Sequence, residues 1–161
     1  MESWPEEVER VARFLREAGA EARVEEFSTP TPTAQAAADA IGCELRQIVK
    51  SLLFECDDGR PVVALVPGDR RADAAKVAAA AGAARARIAS PERVRELTGF
   101  EPGAVAPFPL SRVERIFVEP GLLAQTRVWV GAGSDRHMAG LSPAELVRLT
   151  RAEARALVSD D

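Results

Sequence analysis

Apolar side chains recur every three to four residues in several segments that begin or end at capping residues, which predicts amphipathic helices. The first helix carries apolar residues from Val8 to Ala18, with Ser3 as its N-cap and Gly19 as its stop. Four further helices are predicted at residues 34–41 after the cap Thr33, 73–81 before Gly82, 91–98 after the cap Ser90, and 143–149 after the cap Ser142.

Shorter runs of alternating or continuous apolar residues lie between these helices and predict β-strands. The predicted strands are residues 23–27, 47–55, 61–66, 85–89, 113–118, 127–130, 138–141 and 155–158. Residues 57–60 fit a hairpin turn, residues 131–135 fit a tight loop, and the Gly and Pro residues of 101–110 exclude a regular element. Because hairpins and helices alternate irregularly, the sequence predicts one α+β or mixed α/β domain over residues 1–161.

Composition and charge narrow the function. At 161 residues, with 47% apolar and 29% charged residues, the chain has the composition of a globular domain. Its formal net charge of −4 opposes a general electrostatic grip on nucleic acid, but it is compatible with a local contact to one terminal nucleotide. The acidic first residues carry no apolar run typical of a signal peptide, and no stretch approaches the length of a membrane helix. A cytoplasmic protein with no membrane partner is therefore expected.

Residues that bind metals or form nucleophilic triads are sparse. Cys43 and Cys56 lack metal-ligand spacing, and the single histidine, His137, completes no Cys/His set for zinc. Neither cysteine lies at a helix N-terminus or in a cationic cluster that would lower its thiol pKa. No acid and nucleophile pair with His137 in the sequence. We therefore expect no metal, no cofactor and no protein nucleophile.

Lys50 is one of only two lysines among 21 basic residues, and it lies inside the apolar run 47–54. A buried ammonium is costly to desolvate unless it meets an anion or carbonyl groups, and lysine offers a compact point charge where arginine offers a planar fork. Position alone leaves two interpretations open. One is a binding role, and the other is an edge-strand lysine whose ammonium reaches water while its stem lies along the core.

Two segments with glycine are candidates for contact with a ligand. In residues 103–108, small side chains permit close approach to the backbone while prolines stiffen the turn. Residues 131–134, Gly-Ala-Gly-Ser, follow directly on a predicted strand. A Gly-x-Gly pattern alone is a weak signal, and the rest of a dinucleotide fingerprint is missing. Each segment by itself is equally well explained as a turn.

Five segments come in a specific order along the chain. They are residues 31–38 (Thr-Pro-Thr-Ala-Gln-Ala-Ala-Ala), 48–54 (Ile-Val-Lys-Ser-Leu-Leu-Phe), 66–69 (Val-Pro-Gly-Asp), 97–108 (Leu-Thr-Gly-Phe-Glu-Pro-Gly-Ala-Val-Ala-Pro-Phe) and 131–134. In this order they resemble the YbaK family of free-standing aminoacyl-tRNA deacylases, which is similar to the editing insertion of bacterial prolyl-tRNA synthetase. The resemblance extends from about residue 14 to residue 158, and it implies a barrel-like mixed β-sheet surrounded by helices.

The resemblance also implies roles for individual residues. The implied reaction is hydrolysis of the ester between a wrong amino acid and the terminal adenosine of tRNA, most often tRNA for proline. Lys50 would hold the substrate, and Gly103 lies in the loop that cradles the aminoacyl group; these are the catalytic positions. Substrate binding is implied for Thr33, Ser51, Ala104, Pro107, Phe108, Gly131, Gly133, Ser134 and His137. His137 stands where the synthetase insertion often carries a histidine that helps to set amino-acid choice.

An aminoacyl ester is already activated, so positioning a water and stabilising the oxyanion are sufficient without a protein nucleophile. In cysteine-specific members of the family, the thiol of the substrate attacks its own ester. The expected partners are the aminoacylated 3′ end of tRNA and, as a candidate, a prolyl-tRNA synthetase. Three alternatives stay open: another misacylated amino acid or tRNA, a non-catalytic module that binds tRNA or a synthetase, and a purely structural role for Lys50 and both glycine segments.

Overall fold

The computed structural model describes residues 4–160, which form six α-helices, one short 3-10 helix (Leu45–Gln47) and eight strands. The helices are α1 (Glu6–Glu17), α2 (Ala34–Ile41), α3 (Ala74–Ala81), α4 (Pro91–Thr98), α5 (Pro120–Leu123) and α6 (Pro143–Thr150). The strands are β1 (Arg23–Glu26), β2 (Val49–Cys56), β3 (Pro61–Pro67), β4 (Ala86–Ile88), β5 (Arg115–Val118), β6 (Val128–Ser134), β7 (His137–Leu141) and β8 (Glu153–Ala154). No helix within residues 4–160 is long and apolar enough to cross a bilayer.

The strands form two sheets that meet at one point. A five-stranded sheet has the order β4-β2-β3-β5-β8, in which β2 is antiparallel to both neighbours and the β3-β5 and β5-β8 pairs are parallel. A three-stranded antiparallel sheet has the order β1-β7-β6. Among residues 4–160, one isolated parallel bridge, between Ile48 and Trp129, joins the sheets. The predicted α+β class is confirmed, and the described strands form two joined sheets instead of one closed barrel.

The five-stranded sheet is covered on both faces, which explains the continuous apolar sequence of β3. Successive side chains of a strand point to opposite faces. Val62 and Val66 pack on the face that holds α3, whereas Val63 and Leu65 belong to the main core with α1, α4 and α6. The main core therefore lies between this sheet and the three-stranded sheet, and it fixes the strands that carry the candidate site.

The five predicted helices are confirmed, and the described capping residues act as the sequence indicates. Helix α2 has the predicted bounds, with the Thr33 hydroxyl accepting from the Ala36 N–H at 3.1 Å and Gly42 in the left-handed conformation. Helix α4 begins after the predicted cap Ser90, whose hydroxyl accepts from the Arg93 N–H. The predicted cap Ser3 lies outside the described residues.

Two local predictions are wrong. Residues 131–134 do not form a tight loop; they extend β6 through a register shift between Gly131 and Ser134, and the turn lies at residues 135–136. The glycines of this segment suggested a turn, but in the structure they lie in a β-bulge of β6. Residues 155–158 are not a strand either, since β8 ends at Ala154 and only Val158 makes an isolated bridge, to Ala72.

Candidate functional site

A cavity of about 270 Å³ lies where the two sheets meet. The first half of strand β2 forms one wall. This half is not covered by β4, which pairs only with Phe54 to Cys56 within the described sheet. Helix α2, the segment around Gly103 and the β6-β7 hairpin contribute the other walls. The lining residues are Thr31, Pro32, Thr33, Ala34, Ala37, Ile48, Val49, Lys50, Ser51, Leu52, Gly103, Val105, Gly131, Ser134, His137 and Met138.

Lys50 lines this cavity, and its ammonium donates a hydrogen bond to the main-chain carbonyl of Arg70. Burial lowers the pKa of Lys50, with Asp69 opposing this shift and Arg71 adding to it. Within residues 4–160 the ammonium forms no ion pair with a carboxylate. A carbonyl holds the cation without neutralising it, so its charge stays available to an anionic or polar ligand.

Two buried polar atoms in the cavity wall lack a hydrogen-bond partner among the described residues. They are the hydroxyl oxygen of Ser51 and Nε2 of His137. Buried polar atoms in folded proteins are nearly always hydrogen-bonded, and an unpaired one costs free energy. Their position in the wall of an open cavity is typical of groups that meet a ligand or ordered water.

His137 is almost wholly buried, at 3% exposure, and three neighbours surround its ring. The Ser134 hydroxyl is hydrogen-bonded to Nδ1, the Trp4 ring packs edge-on at a centroid distance of 5.2 Å, and the Glu26 carboxylate lies 3.9 Å from Nε2. Burial lowers the pKa of His137, while Glu26 and Asp135 oppose this effect. The Ser134 oxygen also accepts from the Arg136 N–H at 3.0 Å. We infer that Ser134 donates to Nδ1, which leaves the proton on Nε2, the ring nitrogen nearer the Glu26 carboxylate.

The two glycine segments lie against each other. The Gly133 N–H donates to the Ala104 carbonyl at 3.2 Å. A β-carbon on Gly131 would lie 2.7 Å from the Val105 carbonyl oxygen, so only glycine permits this backbone approach. Gly103 has φ +85° and is exposed at the cavity edge. The sequence predicted two separate turns at these glycines. In the structure, the two segments form one contact between a loop and a bulged strand.

The structure brings most of the predicted site residues together. Seven of them line the cavity: Thr33, Lys50, Ser51, Gly103, Gly131, Ser134 and His137. Ala104 and Gly133 instead line an adjoining cavity of about 440 Å³, which shares Pro32, Gly103 and Ser134 with the first. Pro107 and Phe108 are buried away from both cavities, and Phe108 stacks on Phe14 at 5.3 Å. These two residues hold the loop in the core.

Several site features were not predicted from the sequence. Ile48, Ala37 and Met138 form apolar parts of the wall, but each looks like an ordinary core residue in the sequence. Trp4 lies far from His137 along the chain, so no local pattern pairs them. The carbonyl partner of Lys50 belongs to the main chain, so the side chain of residue 70 gives no signal for it.

A family model described as the aminoacyl-tRNA editing domain matches residues 28–149. The chain belongs to this family. The editing domain is 39% identical over 121 residues to Proline–tRNA ligase of Maridesulfovibrio salexigens, covering 74% of this chain and 20% of that enzyme. It therefore spans about a fifth of the length of this synthetase. It is also 34% identical over 123 residues to protein YwhH of Bacillus subtilis, covering 76% of this chain and 78% of YwhH.

The fold of the editing domain has a close counterpart among solved structures. A crystal structure of a proposed trans-editing enzyme for prolyl-tRNA synthetase aligns with a TM-score of 0.90 and 36% identity. The alignment covers 98% of this chain and 99% of the other. The resemblance drawn from the five sequence segments is confirmed by these matches.

Proposed function

We propose that this editing domain acts in trans to remove a wrong small amino acid, such as alanine or cysteine, from tRNA for proline. The observation that carries the proposal is the Lys50 ammonium, which lies in the cavity wall, held by a carbonyl. An aminoacylated tRNA end offers phosphate, ribose and carbonyl oxygens to such a cation. The family match and the prolyl-tRNA synthetase relatives support the same substrate class.

The size of the cavity supports an aminoacyl group as its occupant. Its volume of about 270 Å³ lies just below the ~300–1,000 Å³ of sites that enclose whole drug-sized ligands. Ala37, Ile48 and Met138 give it a largely apolar wall. A small side chain fits such a space, while the tRNA itself stays outside.

The proposed mechanism is hydrolysis by positioning. Lys50 binds an oxygen of the substrate, and the Ser51 hydroxyl and His137 Nε2 provide two further polar contacts at the cavity. Water adds to the ester carbonyl, and the backbone N–H of Gly103 at the cavity edge stabilises the oxyanion. A proton passes from the attacking water to the ribose oxygen, which leaves as a hydroxyl. The amino acid and the free tRNA end are the products.

A deacylation panel tests this function directly. Purified protein is incubated with tRNA for proline that has been charged with alanine, cysteine, serine or proline. We expect rapid loss of at least one of the wrong amino acids and slow loss of proline. Binding of every charged tRNA without hydrolysis would instead favour the alternative of a non-catalytic module.

The Ser134–His137 hydrogen bond raises a second mechanism, in which Ser134 is a nucleophile. Its oxygen already accepts the Arg136 N–H, and the carboxylate of Glu26 is 3.9 Å from the ring, longer than a hydrogen bond. We therefore expect Ser134→Ala to lower kcat by less than about tenfold, because Ser134 only orients the ring. Loss of a true nucleophile removes far more, on the order of 10⁴-fold or greater. Single-turnover deacylation of the variant separates the two mechanisms.

A further inference from the structure

The loop between β3 and α3, residues 68–73, supplies the carbonyl that holds Lys50. Its first residues are tied to the sheet. The Gly68 N–H donates to the Ile48 carbonyl at 2.8 Å, and the Arg70 N–H donates to the Pro67 carbonyl at 3.1 Å. The remainder of the loop is tied to a different part of the chain.

Residues 157–160, named here the C-terminal clasp, close over the second half of this loop. The Ser159 N–H donates to the Arg71 carbonyl at 2.9 Å, and the Asp73 N–H donates to the Leu157 carbonyl at 2.7 Å. The Arg70 guanidinium reaches the Ser159 carbonyl at 2.8 Å. Two of these hydrogen bonds hold Arg70 and Arg71, the residues on either side of the Arg70 carbonyl, and the third holds Asp73 at the end of the loop.

The clasp is itself held by two charged side chains, those of Glu119 and Lys76. The carboxylate of Glu119 accepts from the N–H groups of Leu157 and Val158 at 2.7 and 3.1 Å. The Lys76 ammonium donates to the Val158 carbonyl at 2.7 Å and to the Asp160 carboxylate at 2.8 Å. Leu157 is fully buried and packs with Val62 and Val66 on the face of the five-stranded sheet that holds α3.

We propose that the C-terminal clasp positions Lys50 for deacylation, with Arg70 and Ser159 as positioning residues that act through the Arg70 carbonyl. This inference rests on the proposed function of the cavity. The clasp lies outside residues 28–149, which match the family model, and it does not line the cavity. It acts on the site only through the hydrogen bond between Lys50 and Arg70.

Lys50 is sensitive to this support because its stem is long and its ammonium has one hydrogen-bond partner among the described residues. If the Arg70 carbonyl moves, the ammonium follows it or turns to water. A displacement of about 1 Å in a catalytic site is sufficient to lower the rate on the order of 10²-fold. Loss of the clasp therefore affects turnover before it affects the fold.

The side-chain nitrogen of Lys50 reports on the clasp without any substrate. The chain has two lysines, so labelling with ¹⁵N at the lysine amino groups gives two signals, and Lys50→Met assigns them. The test variant is Arg70→Met, which removes the guanidinium bond to Ser159. The matched control is Arg60→Met, since the Arg60 guanidinium donates to the Ala81 carbonyl at 2.7 Å at the far end of β2 and β3. Ser159→Pro removes the N–H donor to Arg71 and serves as a second test variant.

We expect the Lys50 signal to move toward that of free lysine in Arg70→Met and Ser159→Pro and to stay in place in Arg60→Met. We also expect kcat for deacylation to fall at least tenfold in the two clasp variants, and Arg70→Lys to recover part of the loss. An unchanged Lys50 signal in whichever clasp variant folds would overturn the inference. Equal loss of activity in the control would overturn it too, since it would indicate a general effect on the fold. If the signal moves but the wild-type protein deacylates nothing, the clasp stands and the proposed function fails.

Discussion

At Lys50 the fold keeps a charged group where burial disfavours the charge. Burial lowers the pKa of the ammonium, and no carboxylate in the described part of the chain pairs with it. Charged groups with perturbed pKa values are found mainly at functional sites, and the stability lost there is compensated by the rest of the fold. Lys50 is therefore expected to matter more for activity than for stability.

Lys50→Met tests this separation, because methionine keeps much of the stem and removes the charge. Relief of desolvation opposes the loss of the hydrogen bond to Arg70, so we expect the free energy of unfolding to change by less than about 2 kcal/mol. We expect kcat/KM for deacylation to fall on the order of 30-fold or more, which corresponds to the ~2–5 kcal/mol lost with a desolvated charged partner. Urea unfolding and deacylation of mischarged tRNA are the measurements.

Lys50→Arg provides the comparison. It keeps the charge but replaces a point donor by a planar fork, so we expect strong impairment in the confined cavity. Near-normal turnover in either folded variant would refute the role of Lys50.

His137 gives the protein a predicted dependence of stability on pH. Its pKa in the folded state is lowered by burial, so the unfolded chain binds the proton more readily. The stability from a neutral His137 is present above the ordinary pKa of about 6.5 and decreases as the pH falls toward the lower folded pKa. The comparison is urea unfolding of wild type and His137→Gln between about pH 8 and pH 5. We expect the stability difference, wild type minus variant, to decrease below about pH 6.5; parallel curves would contradict the lowered pKa.

At the scale of elements, the loop from Gly103 to Pro107 and the β6 bulge form one unit. The Gly133–Ala104 hydrogen bond and the approach of Val105 to Gly131 hold the loop, while Phe108 anchors it in the core. Gly103 then stands at the cavity edge in the left-handed region, at φ +85°. The unit is rigid where it joins the core and open where it meets the cavity.

Gly103→Ala tests whether this edge contacts substrate, and Gly59→Ala is its matched control. Gly59 has φ +91°, and a β-carbon there would meet no atom within 4 Å. Both substitutions strain a left-handed residue, so we expect each to lose about 1–2 kcal/mol of stability. We expect only Gly103→Ala to lose deacylation activity, measured as kcat/KM beside thermal unfolding. Equal activity in both variants would show that the loop is only structural.

The elements also show which features of the structure could be predicted from the sequence. Capping residues predicted α2 and α4 correctly, because a cap acts on backbone groups a few residues away. The loop prediction at residues 131–135 failed because Gly131 is required by a contact with Val105, which is distant in the chain. Likewise, the motif order indicated Lys50 and Ser51, whereas the Arg70 carbonyl, Trp4 and the C-terminal clasp depend on tertiary contacts that no local pattern contains.

At the scale of the molecule, the arginines before and after α3 lie toward different ends of the five-stranded sheet. Before α3, the guanidinium of Arg70 is hydrogen-bonded to the Ser159 carbonyl. After α3, Arg85 and Arg87 lie at β4, which pairs with the end of β2 that is farther from Lys50. Three acidic residues, Glu7, Glu101 and Asp135, line the adjoining cavity and disfavour phosphate there. The net charge of −4 agrees with this distribution.

We therefore expect tRNA binding to depend weakly on salt. The slope of log K against log salt should correspond to only about one to three phosphate contacts, since each contact contributes somewhat less than one to the slope. Affinity is measured across a salt series, and hydrolysis is measured on a short aminoacylated acceptor mimic in parallel. A steep slope together with no activity on the mimic would place recognition on an extended basic surface away from Lys50.

The pairing of β1 with β7 has a consequence for synthesis of the protein. Arg23 pairs with Gly140 and Glu26 with His137, so β1 cannot pair until β7, more than 100 residues later in the chain, has been synthesised. The bridge from Ile48 to Trp129 imposes the same order on the two sheets. Contacts between such distant residues form slowly, and domains fold as units once their chain is available. A nascent chain can form the hairpin that carries Lys50 early, but the cavity is incomplete until β6 and β7 have emerged, so the proposed deacylation requires the whole domain.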